Sequence, residues 1–181
     1  MLQSFIDDKK TKIINELVLQ DRPVTYGIVK PGTNVVGGIP VVRVKDYPDK
    51  KIILEDMLNT KKEIDDKYTR SHLLPGDLLL SIGGTVGRMA IVPPELEGAN
   101  ITQHTARLSF GEEVLAQYVM GVLEMPYMQE YMDSLVKGVA QKGLNLADVK
   151  LIPIPIAPMD IQKKLVEIYE QSDKSKFGFK Y

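Results

Sequence analysis

The sequence predicts an α+β domain, because strand-like apolar runs are gathered in the middle of the chain and helical periodicity takes over from Glu112 onward. A third observation bounds the answer. With 181 residues, 44% of them hydrophobic and 26% charged, the chain suffices for one ordinary domain with a complete core and is too short for two of typical size.

The elements follow in order. Phe5 to Leu19 carries apolar side chains at Phe5, Ile6, Ile13, Ile14, Leu17 and Val18, which predicts a short helix ended by Arg22-Pro23. An irregular β region from Val24 to Val29 is punctuated by Pro31-Gly32 and Gly37-Gly38, and Ile39 to Val44 reads as a strand with proline near its start. Asn59 to Tyr68 is polar around Ile64 and reads as a short solvated helix capped by Asn59 or Thr60. Leu74-Pro75-Gly76-Asp77 makes a turn, Leu78 to Ile82 a buried strand, Gly83-Gly84 a second turn and Val86 to Val92 a strand that should pair with it. Ile101 to Phe110 alternates apolar and polar side chains as one further strand.

Beyond Glu112, Val114, Tyr118 and Val122 form one helical stripe with Leu115, Val119 and Leu123 beside it, and Pro126 opens a second helix. Leu151 to Ile156 has alternate prolines, which forbid helix and confine it to a sheet edge or a packed extended run. Pro158 starts a final helix with Ile161, Leu165 and Ile168 on one face.

Composition excludes several functions. No run approaches the roughly 20 apolar residues that cross a bilayer, and the first residues do not read as a signal peptide, so a cytoplasmic location is expected. Cysteine is absent, which removes disulfides, thiolate metal sites and cysteine nucleophiles. The net charge of −1 argues against simple electrostatic capture of nucleic acid. The charge is unevenly spread, however. Leu108 to Val136 holds Glu112, Glu113, Glu124, Glu130 and Asp133 and no basic residue, whereas eleven cations lie between Tyr26 and Arg107, interleaved with ten carboxylates. Any cationic face must therefore be assembled by folding.

No convincing catalytic constellation stands out. Pro48-Asp49 followed by Asp65-Asp66-Lys67 matches a loose nuclease pattern for Mg²⁺, but its second carboxylate and lysine fall on a solvated helix instead of a rigid strand. Gly83-Gly84-Thr85-Val86-Gly87 lacks the lysine and hydroxyl of a phosphate loop and is followed by a strand, so a tight turn at positive φ is the simpler reading. His72 and His104 are too far apart for a histidine metal site with helical spacing, and neither metal nor cofactor is expected. Thr102-Gln103-His104-Thr105 clusters hydrogen-bonding side chains that could read base edges or could simply face solvent.

Seven segments in one order carry a resemblance: Tyr26 to Gly32, Gly38 to Val44, Tyr68 to Leu79, Gly84-Thr85-Val86-Gly87-Arg88, Ala99 to Gln103, Gly143-Leu144-Asn145-Leu146 and Ile152 to Ile156. Together they resemble the target-recognition domain of the specificity subunit of type I restriction-modification systems, over about Tyr26 to Lys176. The resemblance implies a noncatalytic α+β recognition domain with a central twisted, mostly antiparallel sheet and flanking helices. Residues 1–20 would form an N-terminal helix, 21–156 the DNA target-recognition domain, and 157–181 the start of a spacer or dimerisation helix.

Such a domain would read one half of a bipartite site in double-stranded DNA and position methyltransferase subunits, with a restriction subunit as a further partner. Half-subunit and fragment both remain open for a chain with one recognition domain. The DNA face is expected on Lys30, Arg43, Lys45, Tyr68, Arg70, Ser71, Gly84, Thr85, Arg88, Gln103 and His104. Arg43, Arg70 and Arg88 lead, each with the alternative of pairing with a carboxylate such as Asp46 or Asp77. Ile161, Leu165 and Ile168 would offer a seam to a second copy or to methyltransferase, or cover their own domain. The competing readings are a Mg²⁺-dependent endonuclease using Asp49, Asp65 and Lys67, and a protein-interaction module without DNA specificity.

Overall fold

A computed structural model of the chain describes residues 11–137 and 143–177. Its central element is β5 (Leu78–Ser81), which is buried on both faces and so reads as a continuous apolar run without alternation. It pairs antiparallel with β6 (Met89–Ile91) in the expected hairpin and with β8 (Thr105–Leu108), and β2 (Thr25–Tyr26) completes a four-stranded antiparallel sheet in the order β2-β8-β5-β6. The second strand of the hairpin starts later than expected because Gly87 takes φ +86°.

The two faces of β5 serve two cores. Leu78 and Leu80 join Ala106, Leu108 and Met89 in a large cluster closed by helices. Leu79 and Ala90 point the other way, into a smaller cluster with Val42, Leu73, Leu96 and Ile101. That second cluster is covered by a three-stranded sheet of β4 (Leu58–Thr60), β3 (Ile39–Val42) and β7 (Asn100–Ile101), in which β3 and β7 run parallel. The α+β class holds, with most strand pairs antiparallel as expected, although the strands are divided among separate sheets.

The helical side consists of α3 (Ala116–Leu123), α4 (Pro126–Leu135), α5 (Leu146–Lys150) and α6 (Met159–Phe177). Pro126 occupies the first turn of α4, where its missing N–H costs nothing. In α3, Tyr118, Val119, Val122 and Leu123 are buried, so both stripes read from periodicity face the large core.

Three expectations are corrected. The N-terminal helix over Phe5 to Leu19 is, within the described residues, a strand β1 (Thr11–Ile13) followed by one turn, α1 (Ile14–Leu17); Phe5 to Lys10 fall outside them. Pairing won over periodicity because β9 (Pro153–Pro155), whose prolines cannot donate, lies antiparallel to β1 in a two-stranded sheet. Ile101 to Phe110 is two strands of different sheets, parted by a turn in which the Thr105 N–H donates to the Thr102 carbonyl at 3.2 Å. The polar stretch Asn59 to Tyr68 begins in β4 and contains a single helical turn, α2 (Lys62–Asp65), whose last residue is buried.

Candidate nucleic-acid interface

The turn at Thr102–His104 is a junction for three other segments. On one side the Gly27 N–H donates to the Thr102 carbonyl at 3.3 Å and the Gln103 N–H to the Ile28 carbonyl at 3.0 Å, which fixes the chain leading to Lys30. The Thr102 N–H donates to the Val42 carbonyl at 3.2 Å, which fixes the end of β3 just before Arg43 and Lys45. The third link comes from the hairpin, where the Ile82 and Gly83 N–H groups both donate to the His104 carbonyl, at 2.8 and 3.3 Å. Gln103 and His104 therefore sit in a tight turn, not on a strand face as expected.

Glycine is required where this junction meets the hairpin. A Cβ on Gly83 would run into the His104 ring, and Gly84 adopts φ +74°, where an L side chain is strained. Beyond them Gly84, Thr85 and His104 are exposed, as are Lys30 and Lys45, while Arg88 and Gln103 are half-buried. Eight of the expected residues, Arg43 among them, thus lie in or next to segments hydrogen-bonded to one turn. No described hydrogen bond or ion pair engages the Arg88 guanidinium.

Arg70 and Ser71 occupy a separate 3₁₀ turn, Thr69–Ser71, which Tyr68 immediately precedes and which touches β2 and β7. Arg70 is exposed, with no ion-pair partner among the described residues. Ser71 is fully buried: its hydroxyl donates to the Tyr68 carbonyl at 2.8 Å and lies 2.7 Å from Asn100 Oδ1, so it supports the turn and presents nothing to a ligand. Asn100 donates in turn to Asp65 Oδ1 at 2.7 Å, and His72 Nε2 meets the other Asp65 oxygen at 2.8 Å.

Arg43 takes the alternative left open for it. Its guanidinium grips both Asp46 oxygens at 2.9 Å and donates to the Asp56 carbonyl at 3.0 Å, which closes a 3₁₀ turn, Val44–Asp46. The nuclease pattern loses its centre by similar means, since buried Asp65 spends both oxygens on His72 and Asn100. No group of three or more His, Cys, Asp or Glu suited to a metal is present among the described residues.

Sequence comparison decides the family: the type I restriction modification DNA specificity domain matches residues 28–179. The chain belongs to this family. It is similar to the type I restriction enzyme EcoBI specificity subunit of Escherichia coli, with 33% identity over 166 residues, 91% of this chain and 35% of that protein. In fold it resembles the HsdS subunit from Thermoanaerobacter tengcongensis (TM-score 0.61, 16% identity, 91% of this chain and 37% of that one). It also resembles a chain from a structure described as showing complex assembly and conformational transition of the type I R-M system (TM-score 0.64, 16% identity, 91% and 38%). The chain spans about a third of the length of these relatives.

Sequence reasoning missed three residues of the specificity domain's candidate interface. Asp65 and Asn100 hold the turn that carries Arg70, and their buried pairing across 35 positions left no local signal. Lys137 is exposed, pairs with Asp148 at 3.0 Å, and bridges to Gly143, which itself bridges to Gly83. The Leu144 N–H donates to the Ile82 carbonyl at 2.8 Å, which brings the Gly143 to Leu146 segment of the resemblance to the root of the hairpin. Two of the acidic residues lie elsewhere: β8 runs from the junction at Thr105 toward Ser109, so Glu112 and Glu113 follow a strand that carries the chain roughly 13 Å away. Glu130 and Asp133, by contrast, are on α4, whose Gln129 reaches Gly87 of the hairpin.

Proposed function

We propose that this specificity domain reads the sequence of one half of a split double-stranded DNA target and positions methyltransferase subunits, and restriction subunits with them, over it. The observation that carries the reading is that the segments bearing Lys30, Lys45, Gly84, Thr85, Arg88, Gln103 and His104 are tied by backbone hydrogen bonds to the Thr102–His104 turn, in a family described by DNA specificity. The chemistry of each group fits a part. A glutamine amide can pair bidentately with adenine and a free guanidinium with guanine, while lysines and exposed backbone N–H groups suit phosphates. Gly84 lets the hairpin tip approach a backbone closely, and Arg70 adds a cation on the neighbouring turn. The weak net charge favours a domain that grips DNA as part of an assembly, in the cytoplasm, without a cofactor of its own.

The proposed partner seam on α6 takes a narrower form than the three residues expected. Ile161 packs against the domain's own core, whereas Leu165 and Ile168 are 44% and 63% exposed beside a groove of about 260 Å³ shared with Tyr118, Gly121, Val122 and Met125 of the α3 region. Those two residues are the part of the seam open to a second copy or to methyltransferase. Sedimentation of Leu165→Lys/Ile168→Lys against wild type, with and without methyltransferase, should show weakened association; identical behaviour removes the seam.

Methylation sequencing of cells that express this chain with a methyltransferase partner tests the function. The expected result is methylation confined to a split motif, which disappears or relaxes at one base when Gln103 or Arg88 becomes alanine. Methyltransferase binding without motif-specific methylation would identify an interaction module instead.

A further inference from the structure

The small lobe that carries the candidate interface is joined to α6 by a polar cluster outside the site. Lys50 lies in the loop between the Val44–Asp46 turn and β4, and its Nζ stands 2.9 Å from Glu124 Oε2, just past the end of α3. The same ammonium lies 4.5 Å from the centre of the Tyr169 ring on α6, and the Tyr169 hydroxyl donates to the same Glu124 oxygen. Lys50 reaches this place in a left-handed conformation, φ +64°, which a lysine adopts at a cost. The ring lies close against α3, where a Cβ on Gly121 would stand in ordinary van der Waals contact with Tyr169 Cδ2 at 3.9 Å. Burial and the Glu124 carboxylate push the Tyr169 hydroxyl up in pKa, so it remains a donor at neutral pH.

One loop, one helix end and one long helix thus meet at a single carboxylate oxygen. We infer that Lys50, Glu124 and Tyr169 form a clasp that fixes the angle between α6 and the recognition lobe, which makes them positioning residues for DNA reading. The last step rests on the proposed function, because α6 is then the element that orients this lobe relative to whatever holds the other half-site. None of the three is among the candidate interface residues, so their effect is on direction alone. Ion pair, cation–π contact and hydrogen bond act on one another here, and losing the shared carboxylate removes two of the three.

The chain has no cysteine, so Glu97→Cys and Glu167→Cys accept a label pair without background, one on the small lobe and one on α6, both at exposed positions. Distance distributions between the labels are compared in the full chain for wild type, Glu124→Gln, Lys50→Met, Tyr169→Phe and the exchanged pair Lys50→Glu/Glu124→Lys. The expected result is a displaced, broadened distribution in Glu124→Gln and Lys50→Met, a smaller change in Tyr169→Phe, and only partial recovery in the exchanged pair. The exchange restores the ion pair but neither the cation–π contact nor the acceptor for the Tyr169 hydroxyl. Should Glu124→Gln impair folding, Lys50→Met on its loop gives the same reading. A wild-type distribution in the folded single variants overturns the clasp, and so does full recovery in the exchanged pair, which would leave the cation–π contact and the tyrosine hydrogen bond without effect. Methylation sequencing of the same variants then reads the separation of the half-sites, which should lose its single value. If wild type methylates no split motif the proposed function fails, and the label distances still judge the clasp.

Discussion

The two sides of β5 are built differently. On the helical side 24 buried apolar residues form one cluster, while on the interface side 10 do so, among the described residues. The smaller core is supplemented by specific polar contacts: Asp65 with Asn100 and His72, Arg43 with Asp46, and the buried Tyr47 hydroxyl with Thr105 Oγ1 at 2.7 Å. Apolar packing tolerates many shapes, whereas hydrogen bonds fix a geometry. Buried Gln162 also makes such bonds on the helical side, but there they join a much larger apolar core, while on the interface side they carry a greater share of the placement. The helical side supplies stability and the interface side supplies placement.

The largest effect expected from this division is on stability. Leu80→Ala, which empties space in the larger core, should cost about 3 kcal/mol of global stability by denaturant titration. Asn100→Ala takes one partner each from buried Asp65 and Ser71, which keep only His72 and the Tyr68 carbonyl, and should cost about 2 kcal/mol. Its hydrogen-exchange protection should fall first around Asp65 to His72 while α3 and α4 stay protected. Equal loss of protection on both sides of β5 would show that the lobes do not differ in the way described.

Arg43→Ala sharpens the comparison from within the interface side. Because its guanidinium is held by Asp46 and the Asp56 carbonyl, the substitution should lower stability by about 1 kcal/mol and leave sequence preference intact. Arg70→Ala should do the reverse, with an unchanged midpoint and weaker DNA binding, since the side chain is exposed. The smallest effect is expected from Glu112→Lys/Glu113→Lys. These residues lie past the far end of β8, and the Lys12–Glu113 pair that is lost is a solvent-exposed one, so DNA affinity and stability should both move little.

The sequence showed the helical side better than the interface side, for physical reasons. The stripes Val114, Tyr118, Val122 and Leu115, Val119, Leu123 identify α3 because burial follows a short period within one element. Ile101 to Phe110 could not be divided the same way, because the alternation continues across a turn held by hydrogen bonds to residues 28 and 42. Ser71 looked like a surface hydroxyl until Asn100 was seen beside it, and Arg43 could not be assigned between Asp46 and a ligand until the 3₁₀ turn was in place. Likewise β1 carries a helix-like pattern, and only its partner β9, some 140 residues away, overrides it. What escaped was, in each case, a contact between segments distant in the chain or a turn geometry that composition does not encode.

The central claim is that the Thr102–His104 turn gathers the groups that read DNA. The most direct measurement is DNA binding by the Arg88→Ala/Gln103→Ala/His104→Ala variant with methyltransferase present, at several salt concentrations. These side chains are exposed or half-buried and none makes a described side-chain hydrogen bond, so the fold should persist with a thermal midpoint near that of wild type. The account predicts a loss on the order of 1–3 kcal/mol for each base contact removed, relaxed sequence preference, and a shallower salt slope if Arg88 holds a phosphate. A folded variant with wild-type affinity, preference and salt slope would contradict it.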